Sequence, residues 1–421
     1  MTWLQRYRVD SFVRSSVWFP AVLGMAAALL LSPLVRQLDL ILGWKAAVGP
    51  DSARALLAAL SSSMLTFIVF VFSILLVAVQ LSSAQLTPRI ISLVYRQPVL
   101  KFSLTFFVFA FTFTLAALSR IDEAVAQVSL WVVLYSSVFC IGLFVYMIDR
   151  VGKSLRPVSV LTAVGSTGQG VIREVYPQPL TGTDDTPSNV ALQPQGELSR
   201  TVSSRRTGAV LAFDETGLVE LARRADCLIE LVPQVGDFVT RGEPLFRLYR
   251  GGAVIAERQL QESVAIGPER TMEQDPTFAF RIVVDIASKA LSPAINDPTT
   301  GVLALDQIHR LLRTVAERQL DTGRVNDEAG QLRLAYRTPD WEDFVSLSVT
   351  EIRQFGRESI QIVRRLRALL ENLIKVVPPQ RAALLRAELE LLSRGVDSDF
   401  RDPEDRARAA AADSLGVGGA S

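Results

Sequence analysis

The chain has 421 residues, 49% of them hydrophobic, with a formal net charge of +1 and a mean hydropathy of +0.29. The near-neutral balance excludes the basic footprint of a nucleic-acid-binding protein. Two cysteines in segments of different character, Cys140 and Cys227, exclude a disulfide framework or a paired-cysteine metal site, and the single histidine, His309, leaves little acid–base material.

The hydrophobic excess sits in the first third of the chain. Apolar runs at 17–35, 56–80, 102–118 and 127–148 approach or exceed the length that crosses a bilayer as a helix, and none carries a charge in its interior. The first has a long apolar part with no small-residue cleavage site after it, so it is expected to be a retained span rather than a leader. Trp18 and Phe19 would lie at its interface, with Pro20 and Pro33 at its ends. Basic residues without acids cluster after the second run (Arg89, Arg96, Lys101), while the other two loops mix Arg36, Lys45, Arg54 and Arg120 with Asp39, Asp51, Asp122 and Glu123. Together with Arg6, Arg8 and Arg14 before the first run and Arg150, Lys153 and Arg156 after the fourth, this bias places both termini in the cytoplasm.

The second run carries an ordered polar pattern. At about 100° per residue, Ser62, Thr66, Ser73 and Gln80 fall within one narrow sector of a helix. The third run has Thr105, Thr112 and Ser119 on one face, and the fourth has Ser129, Ser136 and Cys140. Small polar stripes of this kind commonly pack helices together in membranes, or they line water. The sector on the second run is the best aligned, so these four residues are the candidate pore-lining set. Spans without ionisable groups do not suit a charge-relay carrier. Four spans enclose little space, so a path for inorganic ions would need a homo-oligomer.

The soluble part begins near residue 157. Residues 158–175 contain VGSTGQGV, which imitates a phosphate loop but lacks the Gly-Lys-Ser/Thr ending, so glycine turns between strands are expected. Residues 177–204 are polar and rich in Pro, Thr, Gly, Ser and Asp, and are expected to form a disordered insertion. Residues 208–252 alternate apolar and turn residues as strands do, with a short helical insertion at 220–224. The run PQVGDFVTRGEPL at 233–245 resembles the half-motif of biotinyl/lipoyl-type barrel-sandwich domains. No lysine lies between Lys153 and Lys289, so nothing there can carry a cofactor.

The stretch 275–312 reads as a helix to about Leu291, a break at Ser292-Pro293, and a second helix N-capped by Asp297 with Pro298 in its first turn. Asn296, Asp297, Thr299 and Thr300, with Asp285 paired to Lys289 nearby, serve as turn and cap residues or as an ion or ligand site. His309 has no companion ligands and reads as a surface or packing residue. Helices are expected at 341–377 and 379–395, with Arg364, Arg365 and Arg367 on a solvated face, and the tail at 397–421 is expected to be disordered.

The strings ALSPAINDPTTG, GPERTMEQDPTFAF, VGDFVTRGEPL and AQLTPRIISL together resemble a bacterial family of predicted membrane proteins, domain of unknown function 2254, over residues from about 14 to 395. The resemblance implies an N-terminal membrane bundle and a cytoplasmic part, and it supplies no catalytic residues. The expected architecture is thus an α+β membrane protein of the bacterial inner membrane. A four-helix bundle (1–156) precedes a β-rich barrel-sandwich-like module (157–268) and a helical region (269–396). The expected function is a homo-oligomeric channel, or alternatively a non-conducting anchor with a cytoplasmic recruiting module. No nucleophile elbow, zincin motif or phosphate loop is present, so no enzyme, metal or cofactor is expected.

Overall fold

A computed structural model describes residues 2–16, 18–44, 48–90, 97–121, 126–180, 196–320 and 323–416. The chain divides into two compact units, one of residues 9–159 and one of residues 1–8 with 160–421.

After a first helix, α1 (Trp3–Ser15), the smaller unit is built from α2 (Trp18–Leu42), α3 (Pro50–Gln85), α4 (Pro98–Leu118) and α5 (Gln127–Ser154). All four are long and apolar enough to span a membrane. The most buried is α4, which packs against α2, α3 and α5. Its close fit with α2 depends on Gly24, because a Cβ there would strike the backbone carbonyl of Thr105. Met64 and Val71 of α3, Phe107 of α4, and Cys140 and Met147 of α5 form one apolar core. Phe67 bridges these helices, with ring centroids 5.8 Å from Phe107 and 4.7 Å from Phe144.

The first span runs past its expected end at residue 35. It continues to Leu42 and carries Asp39 into the bundle, where the side chain is buried. Asp39 accepts hydrogen bonds from the backbone N–H of Val128 (2.7 Å), the backbone N–H of Ser129 (3.1 Å) and the hydroxyl of Ser129 (2.6 Å). The capping residue of α5, Ala126, has no side chain able to do this. A carboxylate from a neighbouring helix therefore satisfies the orphan donors of that N-terminus and sits at the positive end of its dipole.

The larger unit opens on α6 (Pro157–Val175), which corrects the expectation of glycine turns between strands. Gly165 and Gly168 pack against other helices, whereas a Cβ at Gly170 would meet nothing within 4 Å: at Gly168 it would lie 2.6 Å from Ala279 and 3.0 Å from Leu311. Gln169 donates to the Thr314 hydroxyl at 2.8 Å on the same contact.

A small mixed sheet region follows. It comprises β1 (Leu198–Ser203), β2 (Gly208–Phe213), β3 (Cys227–Leu231), β4 (Phe238–Val239), β5 (Pro244–Arg250) and β6 (Val264–Gly267), with helix α7 (Glu215–Arg224) between β2 and β3 and the short α8 (Glu257–Gln261) before β6. Further along come α9 (Pro276–Ala290), α10 (Pro298–Ala316), β7 (Arg324–Asn326) and β8 (Leu332–Tyr336). The strands form a five-stranded sheet, β1-β5-β3-β8-β7, and a three-stranded sheet, β4-β2-β6. They do not close into the expected barrel. The larger sheet is instead completed by β8, which lies in the region read as helical and pairs parallel to β3, Ile229 opposite Leu334. Gly236 and Gly242 adopt φ of +97° and +98° and supply the tight turns that the glycine spacing implied. The insertion expected at 177–204 lies mostly outside the described residues, but its last part is strand β1.

The C-terminal helices are α11 (Trp341–Phe355), α12 (Ile360–Val376), α13 (Pro379–Asp399) and α14 (Pro403–Ala410). The last lies in the segment expected to be disordered. Asp402 caps it by accepting from the backbone N–H of Glu404 and Asp405. The arginines of α12 do not form a solvated face. Arg364 is buried and donates to the Ala411 carbonyl, Arg365 pairs with Asp306 at 2.6 Å, and Arg367 donates to the Ser393 hydroxyl at 2.9 Å. The tail that follows α14 lies on α12 and covers Arg364: the backbone N–H of Asp413 donates to the Arg364 carbonyl.

Candidate functional site

On α3 the buried residues Leu57, Met64, Val71, Leu75 and Ala78 share one side. At about 100° per residue they lie roughly opposite the sector of Ser62, Thr66, Ser73 and Gln80. All four sector residues are exposed on the outside of the bundle. The Thr66 hydroxyl donates to the Ser62 carbonyl and the Ser73 hydroxyl to the Val69 carbonyl, each at 3.0 Å. These bonds satisfy each hydroxyl hydrogen within the helix and leave oxygen lone pairs facing outward. The sector is amphipathic, because Val69 and Leu76, both exposed, flank the hydroxyls.

The other two stripes behave differently. Ser136 and Cys140 of α5 are buried in the bundle, and Ser129 holds Asp39. Thr105 of α4 is half-buried, bonds its own helix through the Lys101 carbonyl at 2.8 Å, and lies against Gly24. The α5 stripe packs helices, the α4 stripe does so at Thr105 while Ser119 is exposed and donates to the Ala116 carbonyl of its own helix at 3.1 Å, and the stripe of α3 faces away from its own bundle.

The candidates of the larger unit make contacts within the chain. Asp297 caps α10, one carboxylate oxygen accepting from the Thr300 N–H at 3.1 Å and the other from the Thr300 hydroxyl at 2.5 Å. Asn296 takes the left-handed conformation, φ +50°, that an asparagine tolerates before such a cap. Its N–H donates to the Ser292 carbonyl at 2.8 Å. Thr299 is exposed on the first turn of α10. Asp285 lies on α9 and accepts from Arg281 Nε at 2.7 Å; the same guanidinium forks onto Glu351 of α11 at 2.5 and 2.8 Å. Replacing Asp297 by alanine is expected to cost about 1 kcal/mol of stability through the lost cap, read as a lower thermal midpoint of the purified chain.

His309 is half-buried with Nε2 2.9 Å from Asn372 Oδ1. Burial depresses its pKa, so it is neutral at neutral pH and packs as expected. Among the described residues, no three His, Cys, Asp or Glu side chains are grouped to hold a metal. The polar group that the sequence reading missed is Asp39. Its signal was the apolar run Leu38, Leu40, Ile41 and Leu42, which continues the helix around it.

Four apolar helices of spanning length, followed by a second compact unit, are the features of a membrane protein. The chain belongs to the family of predicted membrane proteins designated DUF2254, whose profile matches residues 14–372, ending within α12. It is similar to uncharacterized proteins of Mycobacterium bovis and Mycobacterium tuberculosis, each 26% identical over 96% of this chain and 80% of the relative. No solved structure matches it.

Proposed function

We propose that this protein forms a homo-oligomeric pore in the bacterial inner membrane, with α3 of each copy facing the path and the soluble unit in the cytoplasm as an assembly domain. The observation that supports this reading is the outward sector Ser62–Thr66–Ser73–Gln80. Its four side chains are exposed on the outside of the bundle, and water between copies would meet their oxygens. The path would pass small inorganic ions through neutral hydroxyl and amide oxygens. The reading includes no enzymatic step and no cofactor.

The test is conductance of the purified full chain in planar bilayers. The wild type should conduct, and Ser73→Trp should lower unitary conductance at least severalfold by filling the sector. Silence of the wild type, or identical conductance in the variant, rejects the pore.

A second reading is a non-conducting anchor that recruits a partner. A groove of about 580 Å³ beside α11 and α13, lined in part by Arg353, exposed Phe355 and Arg357, favours it. A stoichiometric partner lost on Phe355→Glu, with a silent bilayer, would favour the anchor.

A further inference from the structure

The end of α2, the start of α3, the end of α4 and the start of α5 enclose a cavity of about 170 Å³ at one end of the bundle. Its polar lining is Ser32, Arg36, Asp39, Arg120 and Ser129, and its walls include Leu57, Phe113 and Leu130. Ser32, Arg36 and Asp39 lie on successive turns of one face of α2.

The charges in this cavity do not cancel one another. Asp39 is committed to the first turn of α5 through its three bonds, and its charge is offset by that helix terminus. Arg120 Nη1 donates to the buried Ser32 hydroxyl at 2.6 Å, a neutral partner. Among the described residues, no carboxylate forms an ion pair with Arg36 or Arg120. Two guanidiniums thus line a recess whose walls are partly apolar. The planar fork of arginine fits the oxygens of a phosphate group, and charge-assisted bonds of this kind are the strong ones.

We infer that this cavity binds a phosphate group, with Arg36 and Arg120 as its ligands, Ser32 holding Arg120 in place, and Asp39 fixing the wall formed by α5. The apolar walls suit a phosphate that carries an apolar remainder, as an anionic lipid headgroup does. Free phosphate offers the same chemistry. The site is independent of the pore reading, because it lies at the ends of the helices and involves none of the four residues of the α3 sector.

The test uses the full chain in neutral detergent. Thermal unfolding is followed during titration with phosphatidylglycerol, phosphatidylcholine and inorganic phosphate, for the wild type, Arg36→Gln and Arg36→Lys. Arg36 is exposed and makes no ion pair among the described residues, so its replacement leaves the fold intact. Phosphatidylglycerol should raise the midpoint more than phosphatidylcholine. Arg36→Gln should weaken that response about tenfold, and Arg36→Lys should restore part of it. If inorganic phosphate alone stabilises the chain and Arg36→Gln abolishes the effect, the source is the free anion. If only the anionic lipid does so, the source is the membrane. Absence of any anion-dependent shift, or an equal shift in Arg36→Gln, overturns the inference.

Discussion

Replacing Arg381 by methionine is expected to destabilise the larger unit by about 3 kcal/mol or more, the range seen when one member of a buried polar pairing is removed. Arg381 is 1% exposed and heads the fully buried side chains by volume. Its Nη1 donates to the carbonyls of Val315 and Ala316, each at 3.2 Å, where α10 ends. The last carbonyls of a helix have no intrahelical donor and carry the negative end of its dipole, so they suit a buried cation. The guanidinium also lies 5.4 Å from the centre of the Trp341 ring, and Trp341 Nε1 donates to the Arg381 carbonyl at 3.1 Å. Methionine fills much of the volume but returns no donor, leaving two buried acceptors in a dry site. Lysine keeps the charge but loses the planar stack, and should fall between the two. Urea unfolding of the full chain, followed by circular dichroism, checks this. A loss under about 1 kcal/mol for methionine would mean that water reaches the end of α10 and bonds those carbonyls.

Arg381 also illustrates what the sequence could not convey. Nothing in the string RAALLRAELE separates a buried arginine from a solvated one, because the carbonyls it meets lie some 65 residues away, in α10. The same holds for Arg364, whose cover comes from the tail beyond α14. Local chemistry was legible where a signal and its effect share one turn: Asp297 before Pro298 at the start of α10, and the glycine turns at Gly236 and Gly242. Continuous apolar length was legible as well, so the four long apolar helices were found. Their ends were not, since Arg36 and Asp39 look like loop residues until α5 supplies donors for the carboxylate. The glycines of α6 were misread for a related reason. Glycine signals a turn when only its backbone is considered, and here the requirement is set by Ala279 and Leu311 across the contact. For α3 the periodicity gave the polar sector but not the direction it faces. That direction follows from the buried opposite side, Met64 to Ala78.

Substituting Gly24 by leucine is expected to have the largest effect in the membrane unit, because it forces apart the close pair α2 and α4. The atom a Cβ would strike is the Thr105 carbonyl oxygen, part of a helix backbone that cannot rotate aside as a side-chain end would. Inside a bilayer the lipid chains are as apolar as the helix surfaces, so association rests on close van der Waals fit, and small residues make that fit possible. Separating two helices by the width of a side chain forfeits contacts along their whole shared length, which is why overpacking by a few methylenes costs about 1–3 kcal/mol or more. Gly142 on α5 provides the control, since a Cβ there meets nothing within 4 Å. Gly142→Leu should therefore leave the thermal midpoint of the purified chain nearly unchanged, while Gly24→Leu lowers it sharply or prevents recovery of folded protein. Gly24→Ala, one methyl group rather than four carbons, should show an intermediate loss. Equal midpoints for Gly24→Leu and Gly142→Leu would mean that α2 can slide along α4 without loss, and that the bundle is held by Asp39 and the aromatic core instead.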